Sequence, residues 1–289
     1  MNRSLLCGVL LVSAAFANAQ DVATEVATTE AAPGVYLLNG ANGFSSNMAL
    51  LVGDSHVVLI DDGMAPITAD LVATVDELAG RPIDFIVNTH VHGDHVGSNA
   101  TLADDGAVIF AHKNIRKRLV EDPGSAGGMG GLPVVTFGDG VNFHVNGQDA
   151  HVRHIARAHT DGDAIVHLHG SNVIVAGDLH FNYMFPFIDL DSGGSVGGFL
   201  AGQKRLLKMA EDDTVIIPGH GGLASKADLQ AAIDMLTDAE ARVEALVLEG
   251  KTIDEVLAEN PLADYHDTWN WGFITTERMT RTLYRSLTD

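Results

Sequence analysis

Thr89-His90-Val91-His92-Gly93-Asp94-His95 places three imidazoles and a carboxylate in one short run. It follows Ile83–Val87, a largely apolar stretch that reads as a buried strand. A turn at the end of a strand can aim closely spaced side chains at one point. His90 and His92, two apart, can face one metal ion. Asp94 and His95, beyond the small Gly93, reach toward a neighbouring position. Imidazole and carboxylate ligands without a thiolate suit Zn²⁺, with Fe and Mn as competitors. A merely polar surface loop does not account for a run so dense placed directly behind an apolar strand.

Three further places repeat the pattern of a ligand-type residue after an apolar run. Ala158-His159-Thr160-Asp161-Gly162-Asp163 lies in a turn, Gly177-Asp178 closes Val173–Ala176, and Gly219-His220-Gly221 follows Val215–Ile217. Singly, each reads as an ordinary turn. Together with the first motif, all four can open onto one edge of packed sheets.

At this point the chain resembles the metallo-β-lactamase fold superfamily. The resemblance rests on His90-x-His92-x-Asp94-His95, then His159, Asp178 and His220 in order, with Leu59-Ile60-Asp61-Asp62-Gly63 similar to an early strand-end motif. It runs from about Gly34 to the C-terminus. It implies an α/β fold, an αββα sandwich with a binuclear site at one edge of the sheets. Carried over, His90, His92 and His159 would hold one zinc, Asp94, His95 and His220 the second, and Asp178 would bridge them. Two Zn²⁺ are the expected cofactors, with Fe or Mn as substitutes. A water between two such ions would have a pKa near ~7. As a hydroxide it would attack a carbonyl carbon, with Asp94 orienting it and taking its proton. The chain has no His-Glu-x-x-His motif, and a metal-borne hydroxide would call for no serine nucleophile.

The departures from the family pattern inform as well. The best-known β-lactamase subclass carries a cysteine where Asp178 stands. An aspartate there resembles the pattern of the thioesterases, lactonases and tRNA-processing nucleases. No clear match appears to the lysine that anchors the β-lactam carboxylate in the cysteine-containing subclass. His92, in place of a carboxylate, argues against the di-iron oxygen-reducing branch.

The N-terminus is set apart from this domain. Residues 1–19 combine a weakly basic start at Arg3, an apolar stretch from Leu5 to Phe16 and Ala17-Asn18-Ala19. This reads as a secretory signal peptide cut after Ala19, which predicts a periplasmic or secreted protein. Cys7, the one cysteine, lies within it, so the mature chain would hold no thiol and no disulfide. Residues 20–33 read as a flexible lead-in and 34–289 as one domain. The 289 residues carry 17 Lys+Arg against 38 Asp+Glu, a net charge of −21. That balance repels phosphate backbones and anionic membranes, so neither nucleic acid nor membrane is an expected partner. The substrate is expected to be a small molecule.

Within the domain, short apolar runs punctuated by Gly, Asn and Asp predict strands at Val35–Leu38, Met48–Val52 and His56–Ile60. Asn146-Gly147 predicts a hairpin turn. Helices are predicted over Ile67–Leu78, ended by Gly80, and over His112–Leu119. Others fall near Gly198–Ala210, Ala227–Leu248, Ile253–Glu259 and Thr276–Ser286, with a Thr252/Glu255 capping box. The Gly-rich 121–132 segment reads as a mobile loop. His167 and His169 read as a solvated face, His151 and His154 as surface or supporting groups. His180 is read more readily as core than as pocket, and so is the Phe181–Phe187 stretch. Trp269–Phe273 reads as a cap on the core. The Asn39–Asn47 loop is expected to flank the site mouth.

The leading expectation for function is an exported zinc hydrolase, β-lactamase-like, opening a cyclic amide or ester. Alternatives are a hydroxyacylglutathione-type thioesterase or a lactonase. From other classes come an iron-dependent sulfur dioxygenase and a non-catalytic periplasmic accessory protein. The intact ligand set weighs against the last of these.

Overall fold

In the computed structural model, residues 25–40 and 45–288 are described. The signal-peptide reading falls outside them. Seven strands form one sheet in sequential order: β1 Val26–Ala32, β2 Val35–Gly40, β3 Asn47–Val52, β4 Val57–Ile60, β5 Phe85–Asn88, β6 Val108–His112 and β7 Val135–Phe137. Five form the second: β8 Gly140–Val145, β9 Gln148–His154, β10 Ala164–Leu168, β11 Val173–Phe181 and β12 Val215–His220, ordered β12-β11-β10-β9-β8. The helices are α1 Thr68–Ala79, α2 Gly93–Val96, α3 Asn99–Asp104, α4 Lys113–Glu121, α5 Val196–Met209, α6 Lys226–Leu248, α7 Ile253–Glu259, α8 His266–Trp269 and α9 Thr276–Thr288.

Strand alternation divides the core into layers. In β4 all four residues are buried, but Val58 and Ile60 face the second sheet while Val57 and Leu59 meet Leu71 and Val75 of α1. In β11, Val173 and Val175 join the layer between the sheets. Ile174 and Ala176 face Phe199 and Leu206 of α5 and Leu229 and Leu236 of α6. The result is helix, sheet, sheet, helix. Each such leucine or phenylalanine contributes about 1.5–3 kcal/mol by leaving water.

The boundaries follow local signals. Gly80 ends α1 in the left-handed region at φ 63°, where its N–H meets the Asp76 carbonyl. Asn146 and Gly147, at φ 52° and 72°, form the tight turn between β8 and β9. Thr252 and Glu255 cap α7 reciprocally, and Ser225 with Asp228 does the same for α6.

Two expectations are corrected. Val26–Ala32, taken as part of a flexible lead-in, is a strand paired antiparallel with β2. Its Val and Thr residues suit an extended edge, and β2 offers an otherwise open row of backbone groups. The 121–132 segment is no loose loop: Ala126 and Leu132 are buried with Val96, Ile115 and Leu119. Among the described residues no helix is long and apolar enough to cross a membrane.

Candidate metal centre

β4 runs parallel to β5, and β11 to β12, so their C-terminal ends deliver side chains to one edge. Asp61 follows β4, the His90–His95 run follows β5, Asp178 sits late in β11 and His220 ends β12. His159 comes from the turn between β9 and β10. There Asp163 accepts the Thr160 N–H, and the Ala164 N–H bonds to the Thr89 carbonyl. The His159 turn is thereby tied to the His90 segment of the other sheet.

The structure brings all seven expected ligand residues together in two groups. In the first, His92 Nδ1 lies 3.1 Å from His90 Nε2 and 2.9 Å from His159 Nε2. Asp178 Oδ2 is 3.7 Å from the His90 nitrogen and 3.4 Å from that of His159. In the second, Asp178 Oδ1 lies 3.1 Å from His95 Nε2 and 3.5 Å from His220 Nε2. Asp94 Oδ2 is 3.7 Å from the former and 3.4 Å from the latter. Asp178 thus divides its two oxygens between the groups.

The outward nitrogens are held as well. Asp61 Oδ2 meets His95 Nδ1 at 2.8 Å, Asp189 Oδ2 meets His92 Nε2 at 2.9 Å, and His159 Nδ1 donates to the Phe187 carbonyl at 2.7 Å. Thr89 Oγ1 sits 3.1 Å from His90 Nδ1 and itself donates to Asp61. Such partners fix ring orientation and leave the opposite nitrogen free to ligate. Asn47 Nδ2 donates to the carbonyls of Pro218 and Gly221, steadying the turn that carries His220. Gly219 is required by close approach: a Cβ there would sit 1.9 Å from Asp178 Oδ1.

The donor set fits a metal. His95 Nε2 and Asp178 Oδ1 are buried without a hydrogen-bond partner, a costly condition unless an ion fills it. Burial pushes His90 well below its ordinary value, helped by His95, and takes His159 down to about 4; both are neutral and ready to ligate. Burial alone would raise Asp178, but the imidazoles of His95, His220, His90 and His159 pull it well below the usual carboxylate range. His95 goes the other way: burial opposes its charge, yet Asp178, Asp94 and Asp61 hold it well above its usual value.

The centre opens into a cleft of about 660 Å³ lined by Phe181, Phe187, Trp271 and Phe273 and also by Met64 and Pro66. Phe181 stacks on the His220 ring at 5.1 Å, and Trp271 lies 5.7 Å from it. The Arg278 guanidinium packs over Phe273 at 4.1 Å and Phe187 at 5.2 Å.

Several expectations change here. The Phe181–Phe187 stretch is split: its two end rings face the cleft while Phe185 is core. Trp269 caps the core as expected, but Trp271 and Phe273, two and four residues on, line the cleft. His180 is fully buried, does not line the cleft, and has neither nitrogen partnered. His154 stacks on His112 at 3.8 Å. Asp189 was not anticipated. It lies far along the chain from His92, in an Asp-Leu-Asp-Ser turn with no metal-ligand spacing.

A family model described as the metallo-beta-lactamase superfamily matches residues 41–220. Over 158 residues the chain is 28% identical to a hydroxyacylglutathione hydrolase of Polaromonas sp. strain JS666, covering 54% of this chain and 55% of that protein. The chain thus spans about half the length of that relative. It is 22% identical over 193 residues to a type 2 metallo-beta-lactamase of Bacillus cereus, covering 66% of this chain and 73% of the relative. Among solved structures, a metallo-beta-lactamase from Pontibacter korlensis superposes with a TM-score of 0.63 at 20% identity. The match covers 74% of this chain and all of the other. DIM-1 metallo-beta-lactamase gives 0.64 at 19%, covering 74% of this chain and 98% of that one. These likenesses establish the fold, and the match across more than half of the chain establishes the family. The chain belongs to the metallo-β-lactamase superfamily, and its His/Asp cluster is compatible with a metal site.

Proposed function

We propose that the protein is an exported binuclear zinc hydrolase that opens a cyclic amide or ester, with β-lactam hydrolysis as the leading activity. The observation that carries this reading is one carboxylate, Asp178, shared between two ligand groups beside an aromatic cleft. His90, His92 and His159 would hold one ion, Asp94, His95 and His220 the other, with Asp178 between them. When bound, a pair of divalent ions lowers the pKa of a water toward neutrality and polarises an acyl oxygen. The aromatic wall would orient an apolar substrate face and exclude bulk water. Arg278, packed on that wall, would offer a cation to a substrate carboxylate. Asp94 is the partly exposed carboxylate of the second group. Burial would raise it, but His95 and His220 keep it below its usual value, so it stays an acceptor for the proton released on attack. Export is supported by the N-terminal Arg3 to Ala19 pattern.

A thioesterase is the second reading. It is favoured by aspartate rather than cysteine at position 178 and by the likeness to hydroxyacylglutathione hydrolase. The deciding experiment is hydrolysis of a β-lactam, a lactone and a thioester by zinc-loaded protein, alongside metal analysis. Turnover of the cyclic substrates, lost with a chelator, is expected. Turnover of the thioester alone would transfer the assignment. Asp94→Asn is expected to lower kcat roughly 10²–10⁴-fold on whichever substrate is accepted.

A further inference from the structure

A second group of histidines lies far from the catalytic edge, on the face of the second sheet that carries α5. Alternation along β10 puts Ile165, His167 and His169 on that face, and Ile165 packs into the helix-side core. His151 of β9 pairs directly opposite His167. Asp149 precedes His151 by two and pairs with His144 of β8. The helical cover stops here, leaving a cavity of about 480 Å³ lined by His151, His167, His169, Arg205 and Glu211, among others.

We propose that His151, His169 and His167 form a peripheral binding site for a divalent transition ion of the copper or zinc class. His169 Nε2 lies 3.0 Å from His151 Nδ1. That spacing falls between the 2.9 and 3.1 Å of the convergent nitrogens in the catalytic centre. A metal with bonds of about 2 Å holds two imidazole nitrogens roughly 3.3 Å apart, so a small spreading admits the ion. The outward nitrogen of His151 repeats the catalytic pattern too: Nε2 meets Asp149 Oδ2 at 3.1 Å, as His95 meets Asp61 and His92 meets Asp189. Asp149 is itself backed by His144 Nδ1 at 3.2 Å. His167 rests against His169 with ring centroids 3.9 Å apart and joins as third ligand by turning about its side-chain bonds.

The cations around the site are engaged elsewhere. Arg153 donates to Asn142 and to the carbonyls of Val141 and Val152, and Arg205 to the His154 carbonyl. Glu211, in the same cavity, supplies a carboxylate of favourable sign. Imidazoles without thiolate favour Cu²⁺ over Zn²⁺ and Ni²⁺ by the usual order of divalent affinities.

The test counts ions. Full-length protein is dialysed against CuSO₄ or ZnSO₄ in separate arms, and bound metal per chain is measured by mass spectrometry. His151→Ala/His169→Ala is expected to hold one ion fewer than the parent, with unchanged hydrolytic turnover. The nitrogen coupling of that ion should vanish from the Cu²⁺ electron paramagnetic resonance spectrum. His144→Ala is expected to keep the ion. Equal counts in parent and double variant, or loss of the ion in His144→Ala alone, overturns the assignment. Should the double variant fold poorly by circular dichroism, the single exposed change His169→Gln is expected to weaken Cu²⁺ binding at least tenfold, and unchanged affinity overturns the proposal equally.

Discussion

Asp178 shows how much one side chain is asked to do. Its two oxygens face different ligand groups, and Gly219 leaves it room. Asp178→Asn is expected to lower bound zinc measurably and hydrolysis by more than tenfold, since a neutral amide removes the negative charge shared by both groups. Gly219→Ala should do similar damage without touching a ligand, because its methyl would displace Asp178; metal content by mass spectrometry checks both. Asp189→Asn is expected to weaken metal retention roughly 10- to 100-fold by freeing the outer nitrogen of His92. An unchanged affinity would show that the ring is oriented by other contacts. Residue identity and spacing made the His90–His95 run legible, whereas His159, Asp178 and His220, each an ordinary turn by itself, became legible only beside that run and through the family resemblance. Asp189 was illegible for the converse reason: a carboxylate that supports a ligand through space leaves no spacing to read.

At the scale of elements, periodicity and caps were readable where the physics is local. α7 shows the predicted Thr252/Glu255 box and α1 stops at its glycine. Replacing Thr252 with Ala should cost about 1 kcal/mol and lower Tm by a few degrees, as calorimetry would register. Elements fixed by distant partners were harder. β1 is a strand because β2 offers it an edge, and the 121–132 segment is pinned because Ala126 and Leu132 drop into a cluster built by α2, β6 and α4. Trp271 and Phe273 look like core residues in sequence. They reach the cleft because the chain returns past β12 before α9, with the Trp271 indole N–H donating to the Phe185 carbonyl.

For the molecule as a whole, acidification provides a test. His112 is buried, and burial, with His154 and Lys113 beside it, takes it down to about 4. An unfolded chain binds that proton near pH 6.5. Between those values the unfolded state holds more protons, so this group's contribution to stability is complete above about pH 6.5 and declines as pH falls toward 4. His112→Asn keeps a side chain able to cap α4 but removes the titration, and should flatten the fall of Tm across that window. A slope equal to the parent's would exclude His112 as its source. The order of strands and helices already suits sheets packed face to face with helices outside, and the family resemblance narrows this to an αββα sandwich, although no local pattern states which sheet faces which. That layering has a mechanical consequence. Each ligand group draws on both sheets: His90 and His92 join His159, and Asp94 and His95 join His220, across a seam closed elsewhere by apolar packing and by hydrogen bonds such as those of Asn47 to Pro218 and Ala164 to Thr89. An ion seated there works as a rivet through two separately woven cloths, so a chelator would loosen the garment as well as stop the chemistry, and selection for grip on metal would double as selection for shape.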